Sequence, residues 1–227
     1  MSTPLRLVIF DVDGTLVDSQ ADILSAMGAA FDAVGAPLPP RADVLAMVGL
    51  SLDVIFPRML PAADGATHAR MAEAYKDAYV ALRAAGGVAR SSPLYPGALE
   101  TLRSLHAIPE VLLGVATGKS RRGLDKLIEG HALDGVFVTQ QCADFHPSKP
   151  HPAMVQAALA ETGIAAEHAV MVGDTTYDLD MAAAAGVLGI GVSWGYHPAA
   201  VLRDKAPVID DFSALHAALD QLWGQTA

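Results

Sequence analysis

Residues 5–15 of this 227-residue chain read LRLVIFDVDGT, and this stretch decides the fold. The largely apolar run 5–10 predicts a β-strand that is covered on both faces. Two aspartates, Asp11 and Asp13, follow at the end of this strand. Their side chains can face one small volume, and Gly14 permits the backbone to turn away sharply. An Asp-Gly pair also marks ordinary turns, so this segment alone does not define a catalytic site.

Further apolar runs alternate with helical patterns along the rest of the chain. Alternation of strands and helices predicts an α/β fold, here a Rossmann-like parallel sheet with right-handed crossovers. Ligands of such sheets bind beyond the carboxyl ends of the strands. The later predicted strands cover residues 111–116, 135–139, 169–172 and 187–192, and the predicted helices cover residues 97–107, 121–129, 152–161, 178–185 and 212–223.

One long interruption of the alternation contains helical patterns only. An apolar stripe from Ile23 to Val34 predicts a first helix, and Pro39-Pro40 predicts the start of another. A third stripe runs from Met71 to Leu82 and ends at Gly86-Gly87. We therefore predict an inserted all-helical module at residues 18–90. The Rossmann-like core then consists of residues 1–17 and 91–227.

Composition and charge exclude several classes of protein. The formal net charge of −10 argues against nucleic-acid or anionic-membrane partners, because either would require a basic face. One cysteine, Cys142, excludes an internal disulfide framework and is typical of a reducing compartment. No apolar run is long enough for a signal sequence or a membrane span. These features predict a cytoplasmic protein and leave monomer and homodimer open.

Three further polar segments lie where predicted strands end. Thr117-Gly118-Lys119 supplies a hydroxyl and free amides that suit a phosphate oxygen, although the same pattern caps ordinary helices. The surrounding GVATGKS has three residues between its glycines, whereas a P-loop requires four. Lys149 offers a compact positive charge. The aspartates of the segment GDTTYD, Asp174 and Asp178, suit Mg²⁺ or helix capping.

Together these segments carry a family resemblance that none of them carries alone. The ordered set DxDGT, strand-end threonine, lysine and GDxxxD resembles the haloacid dehalogenase-like hydrolase superfamily. Within it, the chain is similar to the phosphoglycolate phosphatase and β-phosphoglucomutase branch, which has an all-helical cap after the first strand. The resemblance extends over essentially the whole chain, including Tyr95-Pro96-Gly97 at the return from the insertion and Ala185-Gly186 before the last predicted strand.

The resemblance implies a catalytic role for each aspartate. Asp11 is expected to be the nucleophile and to donate one oxygen to Mg²⁺. Asp13 is expected to act first as general acid and then as general base, which requires a raised pKa, and to give Mg²⁺ its backbone carbonyl. Asp174 is expected to be the second carboxylate ligand of the metal, with Asp178 in its outer shell.

The resemblance also implies how the phosphate is held. Thr117, the amide of Gly118 and Lys149 are expected to bind the phosphoryl oxygens. Because several aspartates repel a phosphate dianion, the site requires Mg²⁺ and Lys149 to offset their charge. The expected activity is therefore Mg²⁺-dependent hydrolysis of a small phosphorylated metabolite, such as a phosphoglycolate-like monoester, through an aspartyl-phosphate.

Other functions of the same fold remain as alternatives. A β-phosphoglucomutase-like phosphomutase shares every core motif. A haloacid dehalogenase needs neither the metal nor Asp13, and a phosphonatase needs a cap lysine, for which only Lys76 is present. A non-enzymatic binding module is disfavoured by the intact set of aspartates and lysine. The candidate specificity residues in the cap are Leu50, Ser51 and Arg58, and relatives commonly have a glycine at the position of Ser51. The cap arginines Arg58 and Arg70 are candidates for binding a substrate carboxylate.

Overall fold

The computed structural model describes residues 4–225 and contains one parallel sheet of six strands. The strand order is β3-β2-β1-β4-β5-β6, with β1 and β4 at the centre. Every neighbouring pair is parallel, so the carboxyl ends of all strands lie at one edge. The strands are β1 (Arg6–Phe10), β2 (Val111–Thr117), β3 (Thr139–Cys142), β4 (Ala169–Gly173), β5 (Leu188–Val192) and β6 (Val208–Ile209).

Eleven α-helices accompany the sheet within the described residues. Five of them follow β1 and form the insertion, namely α1 (Gln20–Asp32), α2 (Arg41–Leu45), α3 (Leu52–Met59), α4 (Gly65–Gly86) and α5 (Val88–Ser91). The other six belong to the core and connect or follow the strands of the sheet, namely α6 (Ala98–His106), α7 (Arg121–Gly130), α8 (Ala153–Thr162), α9 (Thr176–Ala184), α10 (Ala199–Arg203) and α11 (Leu215–Gln225). The α/β fold with an all-helical insertion is thus confirmed.

Alternation along the central strand builds two apolar layers. Val8 and Phe10 belong to one buried cluster, whereas Leu7 and Ile9 belong to the cluster on the opposite face of the sheet. All four side chains are fully buried. This is the pattern of a central parallel strand with helices on both faces, as the sequence predicts.

The insertion has apolar clusters of its own. Phe31, Phe56 and Met71 from three different helices pack together and are fully buried. The chain enters and leaves this unit through two adjacent segments, since Asp18 N–H donates to Pro93 O and Tyr95 N–H donates to Leu16 O. The exact boundaries at 17/18 and 90/91 stay a prediction.

One predicted strand is wrong. The apolar residues at 135–139 lie mainly in a loop, and β3 begins only at Thr139. Phe137 is nevertheless buried and packs against the core from that loop, which explains why the segment is apolar. The true strand, TQQC, lies at the sheet edge and lacks an apolar run.

Candidate active site

The register of the sheet brings the polar strand-end segments of the sequence to one place. Phe10, the last residue of β1, lies beside Val115 of β2 and Val172 of β4. The N–H of Asp11 still donates to Val172 O, at 2.9 Å, so the nucleophile candidate extends the sheet by one residue. The segments that follow β2 and β4 therefore flank Asp11 on its two sides.

A glycine makes the close approach of two of these segments possible. Gly14 has φ of +87°, which favours glycine, and a Cβ at this position would overlap the Asp174 carboxylate and the ring of Tyr196. The Asp174 oxygens accept hydrogen bonds from Thr15 Oγ1 and from the N–H of Tyr196, each at 2.8 Å. Gly14 thus brings the chain after β1 against the residues after β4 and β5.

Three fully buried carboxylates form the centre of the site. One oxygen each of Asp11, Asp174 and Asp178 lies within 4.8 Å of the others. Lys149 is buried among them, with Nζ 2.7 Å from Asp11 Oδ1 and 2.6 Å from Asp178 Oδ1. Apart from this ion pair, the buried oxygens of Asp11 have no hydrogen-bond partner within residues 4–225.

Asp178 serves two structural purposes. Its Oδ1 accepts from Lys149, and its Oδ2 accepts from the N–H and the hydroxyl of Thr175, which closes a capping box at the start of α9. Both oxygens are therefore occupied by protein donors. This arrangement suits a residue that orients Lys149 behind the metal ligands.

Hard carboxylate oxygens in this arrangement fit Mg²⁺. The Asp11 oxygens are buried with only Lys149 as a partner, and each Asp174 oxygen accepts one hydrogen bond and retains a lone pair. Mg²⁺ is usually bound through one or two carboxylates and keeps several waters. Asp11 and Asp174 are the residues that fit this requirement.

Burial and mutual repulsion raise the pKa values of the carboxylates. Burial raises the pKa of Asp11 to about 7, with Lys149 acting in the opposite direction and Asp178 adding to the rise. Burial, followed by the charges of Asp178 and Asp11, raises the pKa of Asp174 well above its ordinary value. Burial acts to lower the pKa of Lys149, but Asp11 and Asp178 outweigh it and raise this pKa. A bound divalent cation would favour the ionised carboxylates.

The expectation of a raised pKa for Asp13 is wrong for this conformation. Burial acts to raise the pKa, but the Lys119 ammonium and hydrogen bonds from Lys119 and Ser19 outweigh it, so the pKa of Asp13 is lowered. Lys119 Nζ lies 2.6 Å from Asp13 Oδ1 and 2.7 Å from Oδ2. Asp13 is therefore an ionised carboxylate here, the form that a general base requires.

The predicted phosphate-binding residues lie at the end of β2. Thr117 is buried, and its Oγ1 accepts from the N–H of Lys119 at 3.2 Å. Gly118 lies directly beneath the cap, because a Cβ on it would be 2.6 Å from Gly49 O. Thr117 and Gly118 line the same cavity as Asp11, and Lys149 is paired with Asp11. The contact of these three residues with phosphate stays a prediction.

A cavity of about 760 Å³ lies between the cap and the end of the sheet. Asp11, Asp13 and Thr117 line it from the core, and Leu50 and Ser51 line it from the cap. These two cap residues are therefore placed as a specificity loop requires, although their role stays a prediction.

Two cap arginines considered from the sequence do not line this cavity. Arg58 and Arg70 are exposed, whereas Arg83 is half-buried and does line it. A role of Arg58 in specificity stays a prediction without a contact to support it.

Sequence reasoning missed several residues that surround Asp13. The sequence predicts Lys119 only as part of a strand-end segment, and Tyr79 only as part of an apolar stripe. Tyr196 lies beyond β5, where its hydroxyl is 3.2 Å from Ser19 Oγ. In the sequence, the position of Lys119 two residues after a strand-end threonine is the feature that indicates a place at the site.

Comparison with known proteins identifies the class that this fold and site define. A family model described as haloacid dehalogenase-like hydrolase matches residues 8–192. The chain belongs to the haloacid dehalogenase-like hydrolases. No helix within residues 4–225 combines the length and the apolar character that crossing a membrane requires.

Individual relatives agree with this assignment. The chain is 38% identical over 221 residues to the "Probable phosphatase IndB" of Dickeya dadantii, covering 94% of each protein. It is 35% identical over 222 residues to a phosphoglycolate phosphatase of Rhodospirillum rubrum, covering 92% of this chain and 89% of the relative. The chain is thus a phosphoric monoester hydrolase of this family, as the sequence predicts.

A solved structure has the same fold over its full length. The β-phosphoglucomutase of Clostridium difficile superimposes with a TM-score of 0.83 at 18% identity, covering 97% of this chain and 98% of that one. This likeness shows the shared fold, and the relatives named phosphoglycolate phosphatase confirm the branch predicted from the sequence.

Proposed function

We propose that this enzyme is a Mg²⁺-dependent phosphatase that transfers the phosphoryl group of a small phosphorylated metabolite to Asp11 and then to water. The main support is the position of the buried Asp11 carboxylate at the end of the central strand β1. It lies within the acidic cluster, and its Oδ1 is 2.7 Å from Lys149 Nζ. Mg²⁺, when bound by Asp11 and Asp174, supplies charge neutralisation to the phosphoryl oxygens.

In the first step, an oxygen of Asp11 forms a bond to phosphorus while the bond between phosphorus and the ester oxygen breaks. The leaving oxygen takes a proton from Asp13, and Lys149 and Thr117 hold the remaining phosphoryl oxygens. Since Asp13 is paired with Lys119 in this conformation, it must release Lys119 and carry a proton to act as the acid. The leaving group then departs as an alcohol.

In the second step, water attacks the phosphorus of the aspartyl-phosphate and Asp13 accepts its proton. The bond between phosphorus and Asp11 breaks, which regenerates the carboxylate and yields inorganic phosphate. Asp13 beside Lys119 is ionised, so the conformation described here corresponds to the base form.

Turnover of p-nitrophenyl phosphate tests this proposal. We expect hydrolysis with Mg²⁺, loss of activity in excess chelator and recovery when Mg²⁺ is restored. Rapid acid quenching during turnover should trap a protein that carries the phosphoryl group on Asp11. Full activity in chelator would remove the metal role, and phosphate on another residue would remove the nucleophile assignment.

A further inference from the structure

The cavity above the phosphate site is larger and more apolar than a two-carbon leaving group needs. Its volume of about 760 Å³ lies within the range of roughly 300–1,000 Å³ that holds drug-sized ligands. The cap contributes many apolar or aromatic side chains to its wall, including those of Ile23, Met27, Val48, Ile55, Tyr75 and Tyr79. A glycolate group would leave most of this wall uncovered.

One cation in the cavity wall has an unused binding face. Arg83 of α4 donates from Nη1 to Gly123 O of the core, at 3.3 Å. Its Nε and Nη2 are buried and have no hydrogen-bond partner within residues 4–225. These two nitrogens lie on the same edge of the guanidinium group, which is the edge that binds a carboxylate or phosphate with two parallel hydrogen bonds.

The other cations of the cavity wall differ from Arg83. Lys119 is paired with Asp13, and Lys76 and Lys126 are paired with glutamates of their own helices. Arg122 is exposed to solvent. Burying a hydrogen-bond donor without a partner is costly, and more so when the donor is charged, so the open edge of Arg83 indicates a bound anion.

Contacts between side chains connect Arg83 to the reacting centre. The Arg83 Cζ lies 4.8 Å from the centre of the Tyr79 ring, and Lys119 Nζ lies 5.0 Å from the same centre. Lys119 in turn pairs with Asp13. The guanidinium is thus separated from the catalytic carboxylate by an aromatic ring and a lysine. A ligand that reaches both places needs a spacer, and the spacer lies along Tyr79.

We infer that the substrate is a phosphomonoester whose leaving group carries a carboxylate at its far end, joined to the ester oxygen by an apolar spacer longer than that of glycolate. The inference rests on the proposed phosphatase function and adds the substrate class. Arg83 binds the carboxylate through Nε and Nη2, and the spacer packs against Tyr79 and Tyr75. A single guanidinium balances one negative charge, which favours a carboxylate over a second phosphate, whose charge at pH 7 is about −1.5 to −2.

A homologous series of substrates tests this inference. The probes are ω-phosphooxy carboxylic acids of increasing chain length, beginning with phosphoglycolate, and the neutral primary amide of each. We expect kcat/KM for the acids to pass through a maximum at a chain longer than glycolate. At that length the acid should exceed its amide by about 10–100-fold, the value of a bidentate charge-assisted pair.

Three variants assign this preference to Arg83. Arg83→Gln should reduce the acid-to-amide ratio to about one, whereas Arg83→Lys should keep part of it, since the charge remains but the bidentate geometry is lost. Arg70→Gln is the matched control, because Arg70 is an exposed arginine of the same helix outside the cavity wall. It should leave both the ratio and the absolute rates unchanged.

The outcomes separate this inference from the function on which it rests. If wild-type enzyme fails to hydrolyse p-nitrophenyl phosphate in Mg²⁺, the phosphatase proposal itself fails. If it hydrolyses this ester but shows no acid preference at any length, or if Arg83→Gln retains the preference, the substrate class is wrong. Preference for a bisphosphate of the same length over the acid would overturn the choice of carboxylate. If Arg83→Gln does not fold, the acid-to-amide ratio of Arg83→Lys decides. A ratio equal to that of the wild-type enzyme would overturn the assignment to Arg83.

Discussion

At Asp11, burial raises the pKa of the carboxyl group and the adjacent Lys149 acts to lower it. Asp11→Asn keeps the shape of this side chain and removes the nucleophilic oxygen, while Lys149 keeps its pair with Asp178. We expect turnover of p-nitrophenyl phosphate to fall by several orders of magnitude, because no neighbouring group replaces a covalent nucleophile. Thermal unfolding monitored by circular dichroism should stay cooperative. Near-normal turnover would place the nucleophile elsewhere.

Lys119 sets the protonation of Asp13, which gives a prediction about pH. Lys119→Met removes the charge that lowers the pKa of Asp13, so this pKa should rise. Whichever limb of the pH profile of kcat/KM depends on Asp13 should therefore move to higher pH. Lys205→Met is a suitable control, since Lys205 is paired with Asp180 outside the cavity wall. An unmoved profile in Lys119→Met would show that the pair does not control Asp13.

These two residues also show how far a sequence predicts a site. Asp11 could be placed because β-strand periodicity and parallel pairing fix where strand ends lie. The contact between Lys119 and Asp13 could not be placed, because a long flexible side chain takes its direction from its neighbours. Tyr79 belongs to an apolar stripe that predicts a packed helix equally well. Only the folded cap shows that its ring lies between Lys119 and Arg83 in the network of contacts.

At the scale of elements, the sequence predicts the strands whose residues are buried on both faces of the sheet. The central strands appear as apolar runs because both faces of the sheet are covered, and four of the five predicted strands agree with the structure to within about a residue at each end. The edge strand β3 was misplaced, since its polar residues carry no such run. The short elements α10 and β6 were not predicted, because five and two residues are too few for a periodic pattern.

The loop between α2 and α3 is where the cap meets the phosphate site, and Gly118 tests that contact. A Cβ in Gly118→Ala would lie 2.6 Å from Gly49 O, a backbone atom that cannot rotate away. The cap loop must therefore retreat, and displacements of this kind can cost up to about 100-fold in rate. We expect kcat/KM for p-nitrophenyl phosphate to fall at least about tenfold.

Gly28→Ala is the matched control for this glycine substitution. Gly28 lies within α1 and has no atoms within 4 Å of a Cβ at its position. Activity should be unchanged, and stability should rise by roughly 0.5–1 kcal/mol, because alanine favours a helix over glycine. Equal activities of Gly118→Ala and wild-type protein would show that the cap loop does not need this close contact.

At the scale of the whole molecule, hydrogen bonds and apolar contacts join the cap to the core, and Tyr177 of the core packs against the apolar cluster of the cap. Ala46 O of the cap accepts from the Tyr177 hydroxyl at 3.0 Å and lies 3.2 Å from His197 Nε2. Ser51 N–H donates to Ser148 Oγ at 2.9 Å. Since the acidic cluster belongs entirely to the core, the cap is not required to assemble it. Its contribution is the cavity wall, which is where phosphatase and phosphomutase of this fold are expected to differ.

The acidic cluster links metal binding, pH and the stability of the whole protein. In the metal-free protein the pKa of Asp11 is about 7 and that of Asp174 is also raised, so the folded state holds protons that the unfolded state releases above about pH 4. Stability should therefore fall as pH rises from about 5.5 to 8. Asp13, whose pKa is lowered, and Lys149, whose pKa is raised, keep their charge throughout this range and do not contribute.

Mg²⁺ binding should reverse this loss, and the size of the effect should depend on pH. Mg²⁺ competes with protons for Asp11 and Asp174, so the increase in Tm on adding it should be larger at pH 8 than at pH 5.5. At a concentration about 100 times the dissociation constant, the gain at pH 8 should reach roughly 5–10 °C. Asp174→Asn removes one metal ligand and one carboxyl group whose pKa is raised. This variant should therefore lose most of the increase in Tm on adding Mg²⁺, and its metal-free Tm should depend less on pH. Differential scanning calorimetry at the two pH values, with Mg²⁺ and with chelator, measures both effects. An equal gain at both pH values would show that protons and metal do not share these carboxylates, and an undiminished gain in Asp174→Asn would place the metal elsewhere.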